Sequence, residues 1–490
     1  MPPVVATIIF AIGITGLFLL DRGDKGRVSK ALWIPTVWLF LVFSRAASQW
    51  LGVSPTTDEA SVYLEGSPVD RAVLAVLEAA ALIVLIGRRR RVGPILRRNW
   101  AIGLFFLYAA LSTSWSDFPF ITVKHWIKGI GDLMMVLMVL TEPSVADAIK
   151  WLGTRLGFVL LPLSVLLIKY YPLLGRTVSL GWTMEAVGVA TQKNSLGELC
   201  VIFGLGLIWR LRRAYNARVD LNRRQRLLAL SALLPMVVWL LWMCNSMTSI
   251  CTLSLASAVM LLSTRPAFRR TPAFVHLMAL AVPACTAYAL FFQSSLLQGL
   301  GRDPTLTGRT DIWHLVLAVP NDRLVGAGYE SFWLGSRLLK MWDLIPGLKV
   351  QEAHNGYIEM LLNLGWIGVA LLGVLIATGY RNVIRCYRRN PGIGSLGIAL
   401  FLAAVNTGFT EAAFRMMSPL WIAFLLATTA ASVDAAHNGR GGVRLARQLP
   451  ESGQEDGAAI LEGNVCGNSI GRTFGNGGSL RAGGSKRVRA

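Results

Sequence analysis

Two polar clusters carry the side chains in this sequence that are best suited to chemistry. One is Gly308-Arg309-Thr310-Asp311-Ile312-Trp313, and the other is Ala353-His354-Asn355-Gly356-Tyr357. A guanidinium is always charged and offers a planar fork of donors that matches phosphate. An imidazole that is neutral near pH 7 can accept a proton from a hydroxyl. Together they suit transfer chemistry on an anionic substrate that carries phosphate.

Both clusters also have ordinary structural explanations. Asp311 could pair with Arg309 in a surface ion pair worth at most about 1 kcal/mol. His354 could be an interfacial histidine with one backbone hydrogen bond. If Asn355 caps the helix that follows, the positive end of the helix dipole would lower the pKa of His354 and keep the ring neutral. Spacing alone leaves these alternatives open.

The rest of the chain is strongly apolar, and it must hold the two clusters against a membrane. Of the 490 residues, 54% are hydrophobic and 15% are charged, whereas about a quarter of a soluble domain is charged. Apolar runs that can cross a hydrocarbon core of about 30 Å recur throughout the sequence. They predict an all-α, polytopic integral membrane protein with about 12–13 transmembrane helices. The predicted segments are 3–20, 31–46, 71–87, 100–114, 121–140, 152–170, 195–209, 227–244, 248–263, 273–292, 357–379, 393–409 and 417–433.

The charges between these segments predict which loops face the cytoplasm. Basic clusters follow the odd-numbered segments, so one orientation places all of them inside, with the N terminus outside and the C terminus inside. The net charge of +21 then reflects topology, and we exclude a nucleic-acid partner. The predicted parts are N-terminal transmembrane helices (1–292), a large periplasmic loop (293–356), C-terminal transmembrane helices (357–433) and a disordered basic cytoplasmic tail (434–490).

Several further polar groups map to the outer face in this orientation. Lys193, with Asn194 beside it, begins the seventh segment, where it could hold a phosphate oxygen. Arg302 lies in the large loop. Glu411, at the outer end of the twelfth segment, could pair with a cation or orient His354. These groups come from distant parts of the sequence, so their convergence on one face is the argument for a site there.

The remaining candidate binding residues each have two explanations. Lys124 and Lys128 lie in the first turns of the fifth segment, where they either face a wet cavity or extend to the headgroups. Trp313 could stack on a sugar ring or anchor the loop at the membrane interface. Asp311 could orient an arginine of its own loop. Asn355 is a candidate binding residue because it lies next to His354.

An enzyme that faces outward must use a substrate that is already activated, because there is no nucleotide pool outside the cytoplasm. A sugar chain on a polyprenyl diphosphate meets this need, since the lipid holds it in the bilayer and the diphosphate is the leaving group. Cations stabilise the charge that develops as the sugar–phosphate bond breaks. The sequence contains no CxxC pair and no HExxH motif, so it predicts no metal site and no cofactor.

A series of motifs resembles the O-antigen ligase/polymerase superfamily, and especially the exopolysaccharide polymerases within it. The motifs cover most of the chain from the fourth to the thirteenth segment, and their order and placement on alternate membrane faces are fairly specific. Besides the two clusters above, the second continuing through Ile358-Glu359 to Gly365 and Gly368, the matching residues are Trp115-Ser116 with Pro119, Lys193-Asn194, Asn245-Ser246-Met247-Thr248, Gly326-Ala327-Gly328-Tyr329 and Thr410-Glu411.

The resemblance implies a GT-C-like, inverting, metal-independent glycosyltransferase of the bacterial inner membrane, with its active face in the periplasm. It implies that Arg309 binds the diphosphate and that His354 assists the transfer, and Glu411 joins them as a candidate catalytic residue. Family ligases usually carry another arginine where this chain has Asn245-Ser246-Met247-Thr248. This departure counts against lipid A–core ligase activity.

Without that arginine, diphosphate binding would fall to Arg309, Lys193 and one of the two lysines of the fifth segment. The sequence thus predicts a polymerase of polyprenyl-diphosphate-linked oligosaccharide repeat units, working with other polysaccharide export and chain-length proteins. Three alternatives remain open: a ligase of the same family, a solute transporter that uses the charged groups of the fifth segment and Glu411, and a metal-dependent glycosyltransferase that uses Asp58 and Glu59.

Overall fold

Each of the thirteen predicted segments forms a helix in the computed structural model of the chain. The structure describes residues 1–21, 28–53, 66–178, 183–216, 222–269, 272–292, 309–344 and 350–429, which all fall in one compact unit. The thirteen helices are α1 (Pro3–Leu20), α2 (Trp33–Phe43), α3 (Pro68–Gly87), α4 (Trp100–Leu111), α5 (Pro119–Leu140), α6 (Val145–Tyr170), α7 (Lys193–Asn216), α8 (Arg223–Cys244), α9 (Met247–Ser263), α10 (Pro272–Phe292), α11 (Gly356–Arg389), α12 (Pro391–Thr407) and α13 (Pro419–Thr429).

The protein is an all-α polytopic membrane protein, as the sequence predicted. Five helices, namely α1, α6, α7, α8 and α11, are long and apolar enough to cross a membrane. Helices α3 and α5 are also long, but they carry ionisable side chains within their length. The strand content of the described residues is one short antiparallel pair, Arg176–Val178 with Met184–Ala186, which the sequence did not reveal. Shorter helices complete the chain: Ala47–Trp50, Arg89–Arg98, Pro172–Gly175, Pro266–Arg269, Arg309–Ala318 and Gly335–Leu344.

The loop 293–356, which the sequence predicts to face outward and which we call the outer loop, forms in its described part a folded layer with its own hydrophobic core. Helices Arg309–Ala318 and Gly335–Leu344 bury Trp313, Phe332 and Met341 in one cluster. The indole nitrogen of Trp313 donates a hydrogen bond of 2.7 Å to the carbonyl of Ala353. The loop core therefore fixes the backbone beside the predicted histidine.

Helix α11 is broken at Gly365, where the backbone adopts φ 65° and ψ −167°. The break frees carbonyls on one side and amides on the other. The segment 323–328 satisfies both sets, because its amides donate to residues 362 and 363 and its carbonyls accept from residues 366 and 367. The Gly326-Ala327-Gly328 turn thus binds helix α11 through its backbone. In this way the helix break attaches the outer layer to the transmembrane bundle.

This attachment requires glycine at position 365. A Cβ there would overlap the carbonyl of Leu324, and the positive φ would strain any L side chain. We expect Gly365→Ala to lower the free energy of unfolding by about 2 kcal/mol or more, seen as an earlier thermal transition of the purified protein in detergent. Gly373→Ala is the matched control in the same helix, because a Cβ at Gly373 meets nothing within 4 Å. Equal melting of the two variants would contradict this account of the break.

Candidate active site

His354 lies at the start of α11, in a turn that its neighbour fixes. The side-chain oxygen of Asn355 accepts hydrogen bonds from the amides of Tyr357 (3.0 Å) and Ile358 (3.1 Å). The predicted helix cap is therefore confirmed. The amide nitrogen of the Asn355 side chain donates to the carbonyl of Phe409 at 3.1 Å, which ties the start of α11 to the segment between α12 and α13.

The imidazole of His354 sits between two carboxylates from different parts of the chain. Its Nδ1 lies 3.1 Å from Glu352 Oε1 and 3.4 Å from Glu411 Oε2. The second oxygen of each carboxylate pairs with an arginine. Arg309 Nη2 lies 2.7 Å from Glu411 Oε1, and Arg415 Nη1 lies 3.1 Å from Glu352 Oε2. The result is a row of alternating charges, Arg309–Glu411–His354–Glu352–Arg415.

Both ends of this row are secured by further contacts. Arg309 also donates to the carbonyl of Thr410, and Arg415 lies 3.4 Å from the carboxylate of Glu330. Asn194 Nδ2 donates to Glu411 Oε2 at 3.2 Å. The row thus joins the outer loop, the start of α7, the start of α11 and the segment between α12 and α13.

The two carboxylates reverse the protonation state expected for His354. Burial lowers the pKa of the ring, but the charge and hydrogen bond of Glu352, together with Glu411, raise it to about 10. Burial by itself would raise the pKa of Glu352. The neighbouring positive charges of His354 and the two arginines outweigh this effect and lower the pKa to about 2. The prediction of a neutral histidine was wrong, because two full negative charges in contact outweigh the partial charge at a helix end.

The backbone around this row is strained. His354 adopts φ 48°, Glu330 φ 52° and Met417 φ 56°, which make three of the four non-glycine residues with positive φ in the described ranges. Each such residue costs about 1–3 kcal/mol and persists only where the surrounding structure imposes it. Strained residues of this kind concentrate at functional sites, so their grouping here supports a site at this position.

Two cavities with lining residues in common lie beside the charged row. The larger has a volume of about 430 Å³. Its lining combines apolar side chains of α2 and α3 with polar side chains that include Asp70, Lys128, Asn194, Glu411 and Arg415. The smaller, of about 190 Å³, is lined by Trp333 among others. Both cavities share Gln192, Glu352, Arg415 and Met416 as lining residues.

The structure unites some of the predicted residues and separates others. Arg309, His354 and Asn194 each contact Glu411, and Asn355 follows His354 in the chain. Lys128 lines the larger cavity. Arg302 lies outside the described residues.

Four of the predicted binding residues do not line either cavity. The amine of Lys193 pairs with Glu185 at 2.6 Å. Lys124 and Asp311 are exposed to solvent. Trp313 is buried in the loop core, with 6% of its surface exposed, so its ring supports the loop and is not available to stack on a sugar.

Sequence analysis missed Arg415, Glu352 and Glu198, which line the cavities. Two signals could have found them. Arg415 is a basic residue between α12 and α13, on the face that the topology prediction leaves poor in arginine. Glu198 is an acid within an apolar segment, where an ionisable group is costly without a function or a partner.

Glu352, His354 and Glu411 also place their potential ligand atoms within 4.8 Å of one another, as a metal site would. All four carboxylate oxygens already have a partner, namely Arg309, Arg415 or the ring of His354. A metal ion would have to compete with three cations, so these residues do not fit a resident metal.

Comparison with known proteins agrees with the motifs. The exopolysaccharide production protein ExoQ of Rhizobium meliloti (strain 1021) is 25% identical over 314 residues, which cover 61% of this chain and 68% of that protein. The chain is thus similar to a protein of exopolysaccharide production. No family model matches the sequence. The relationship to ExoQ covers most of the chain, so it agrees with the resemblance read from the motifs.

The charge state of His354 makes a testable contribution to stability. Its pKa is raised from 6.5 to about 10 in the folded protein, so the stabilisation is complete below pH 6.5 and is lost as the pH rises toward 10. We expect the melting temperature of wild type to exceed that of His354→Asn most below pH 6.5, with a difference that shrinks at alkaline pH. Asparagine tolerates the positive φ. A difference that grows with pH would refute the ion-pair assignment.

Proposed function

We propose that this protein takes part in exopolysaccharide production, as its relative's name states for ExoQ, by polymerising oligosaccharide repeat units linked to polyprenyl diphosphate on the periplasmic face of the inner membrane. The observation that carries the proposal is the larger cavity. Its apolar lining residues, such as Leu41, Val42 and Leu74, suit a lipid, and its cationic lining residues, Arg415 and Lys128, suit an anionic headgroup.

The charged row gives the leaving group its stabilisation in this proposal. A diphosphate acquires negative charge as the sugar–phosphate bond breaks, and preorganised cations lower the barrier for that step. Arg415 lines the cavity and pairs with Glu352 and Glu330. The protonated ring of His354 leaves Nε2–H as a donor, because both carboxylates are on Nδ1. His354 therefore assists transfer as a cation and hydrogen-bond donor.

Arg309 has an indirect place in this arrangement. It is held by Glu411 and the carbonyl of Thr410, and Glu411 lines the cavity. An incoming diphosphate would meet Arg309 only by displacing Glu411, which would leave that carboxylate to His354 and Asn194. Exchange of partners of this kind keeps every buried charge compensated.

The two cavities suggest separate places for the two substrates. The donor lipid occupies the larger one, and the end of the acceptor chain enters the smaller one, where the polar side chains of Gln192, Glu330 and Gln351 suit a sugar. Their shared lining at Arg415 and Glu352 is then the place of reaction. A polymerase needs both sites, because each cycle joins two glycolipids of the same kind.

An in-vitro assay tests the proposed function directly. The purified protein in lipid nanodiscs, given polyprenyl-diphosphate-linked repeat units, should yield a ladder of products, with and without EDTA. Single transfers without a ladder would indicate a ligase. Loss of the ladder on chelation would indicate a metal-dependent enzyme. Absence of any transfer, together with uptake of a solute into proteoliposomes, would indicate a transporter.

Two lysines on the same helix provide a matched pair of variants. Lys128 lines the larger cavity, whereas Lys124, one turn earlier on α5, is exposed. We expect Lys128→Met to reduce the rate of ladder formation about tenfold to a hundredfold, the value of one charged hydrogen bond, and Lys124→Met to leave it unchanged. Equal rates for the two variants would show that the donor headgroup binds elsewhere.

A further inference from the structure

A second histidine, His125, lines the smaller cavity. It lies in the second turn of α5, and its Nδ1 is 3.0 Å from the backbone carbonyl oxygen of Glu330. A carbonyl oxygen can only accept a hydrogen bond, so Nδ1 carries the hydrogen and donates it. This bond fixes the tautomer of the ring and leaves Nε2 as its second polar atom.

The surroundings of His125 favour a bare Nε2. Among the residues that the structure describes, Nε2 has no bonded partner, yet it is not sealed inside the protein. A second proton would make this half-buried ring a cation beside three other cations, which are Lys128, Arg415 and Lys124. The ring is therefore neutral, and Nε2 presents a lone pair.

The group that holds the ring is itself fixed in place. Glu330 adopts the positive φ described above. Its carboxylate accepts a hydrogen bond of 3.1 Å from the amide of Met416 and lies 3.4 Å from Arg415. The carbonyl that orients His125 thus belongs to a residue that is held at its side chain as well. The ring is preorganised, as a reacting group should be.

The position of His125 on α5 places it close to the proposed donor site. His125 and Lys128 are three residues apart and share one face of the helix. His125 lines the smaller cavity, Lys128 lines the larger one, and Arg415 lines both. This face of α5 therefore joins the proposed acceptor site to the proposed donor site.

We propose that His125 is the catalytic base that accepts the proton of the acceptor sugar's hydroxyl, an inference that rests on the proposed function. The hydroxyl oxygen forms a bond to the anomeric carbon of the donor sugar while its proton moves to Nε2 of His125. The bond from that carbon to the diphosphate oxygen breaks, and its electron pair leaves with the diphosphate.

The cations around His125 connect its basicity to the presence of the donor. Lys128 and Arg415 by themselves oppose protonation of the ring. A bound diphosphate would add negative charge beside both cations, so the ring becomes a stronger base when the donor is in place. After the diphosphate leaves, the two cations again oppose the proton, which passes to water through the cavity.

This assignment divides two roles between two histidines. The pKa of His354 is raised to about 10, so its ring already carries a second proton and has no lone pair with which to remove another. His354 supplies positive charge to the leaving group, and His125 supplies the unprotonated nitrogen.

The test compares turnover, donor binding and melting for the full-length protein in nanodiscs. His125→Asn keeps a side-chain N–H for the carbonyl of Glu330 but has no atom at the place of Nε2. We expect it to lower the elongation rate about 10²- to 10⁴-fold, while the affinity for polyprenyl diphosphate changes less than about threefold and the melting temperature stays near that of wild type. Added imidazole should restore part of the activity of His125→Ala. His314→Asn, which changes an exposed histidine of the outer loop, is the control and should elongate normally.

Other outcomes would overturn the proposal. Elongation at the wild-type rate by His125→Asn would show that the base is elsewhere. A parallel loss of donor binding, turnover and melting temperature would show that His125 has a structural role. If His125→Asn does not fold, His125→Gln places an amide near the position of Nε2, and full activity of that variant would refute the assignment because an amide does not take up the proton. Failure of the wild type to elongate would instead refute the proposed function itself.

Discussion

The site depends on one interaction, the sharing of a protonated His354 between Glu352 and Glu411. The two carboxylates come from segments 59 positions apart, and each brings an arginine with it. Without the imidazolium, two buried negative charges would face each other across a few ångströms, a contact that costs several kcal/mol at low dielectric. The histidine thus holds together the outer loop, the start of α11 and the segment between α12 and α13.

This arrangement explains why the outer layer has a hydrophobic core of its own. A row of alternating charges stabilises only when each member is held at hydrogen-bonding distance, since desolvation offsets the attraction otherwise. The loop core around Trp313, the break at Gly365 and the cap at Asn355 supply that precision. His354 adopts a positive φ. This strained conformation persists only because the packing around it stabilises that position of the ring.

The charged row also controls the field in the cavity. Because each arginine is matched by a carboxylate, the charges of the row largely compensate one another within the protein.

The sequence alone determined the all-α membrane fold, the thirteen helices and the Asn355 cap, because hydrophobic runs and caps depend on residues close in sequence. It also drew attention to Arg309, His354 and Glu411. Only the tertiary structure decided that these three touch, that Arg415 and Glu352 complete the row, and that Lys193 and Trp313 have other partners. The structure also replaced the expected neutral His354 with a protonated one. The pKa of a side chain depends on its neighbours in space, and their distances follow from how the helices and the loop pack.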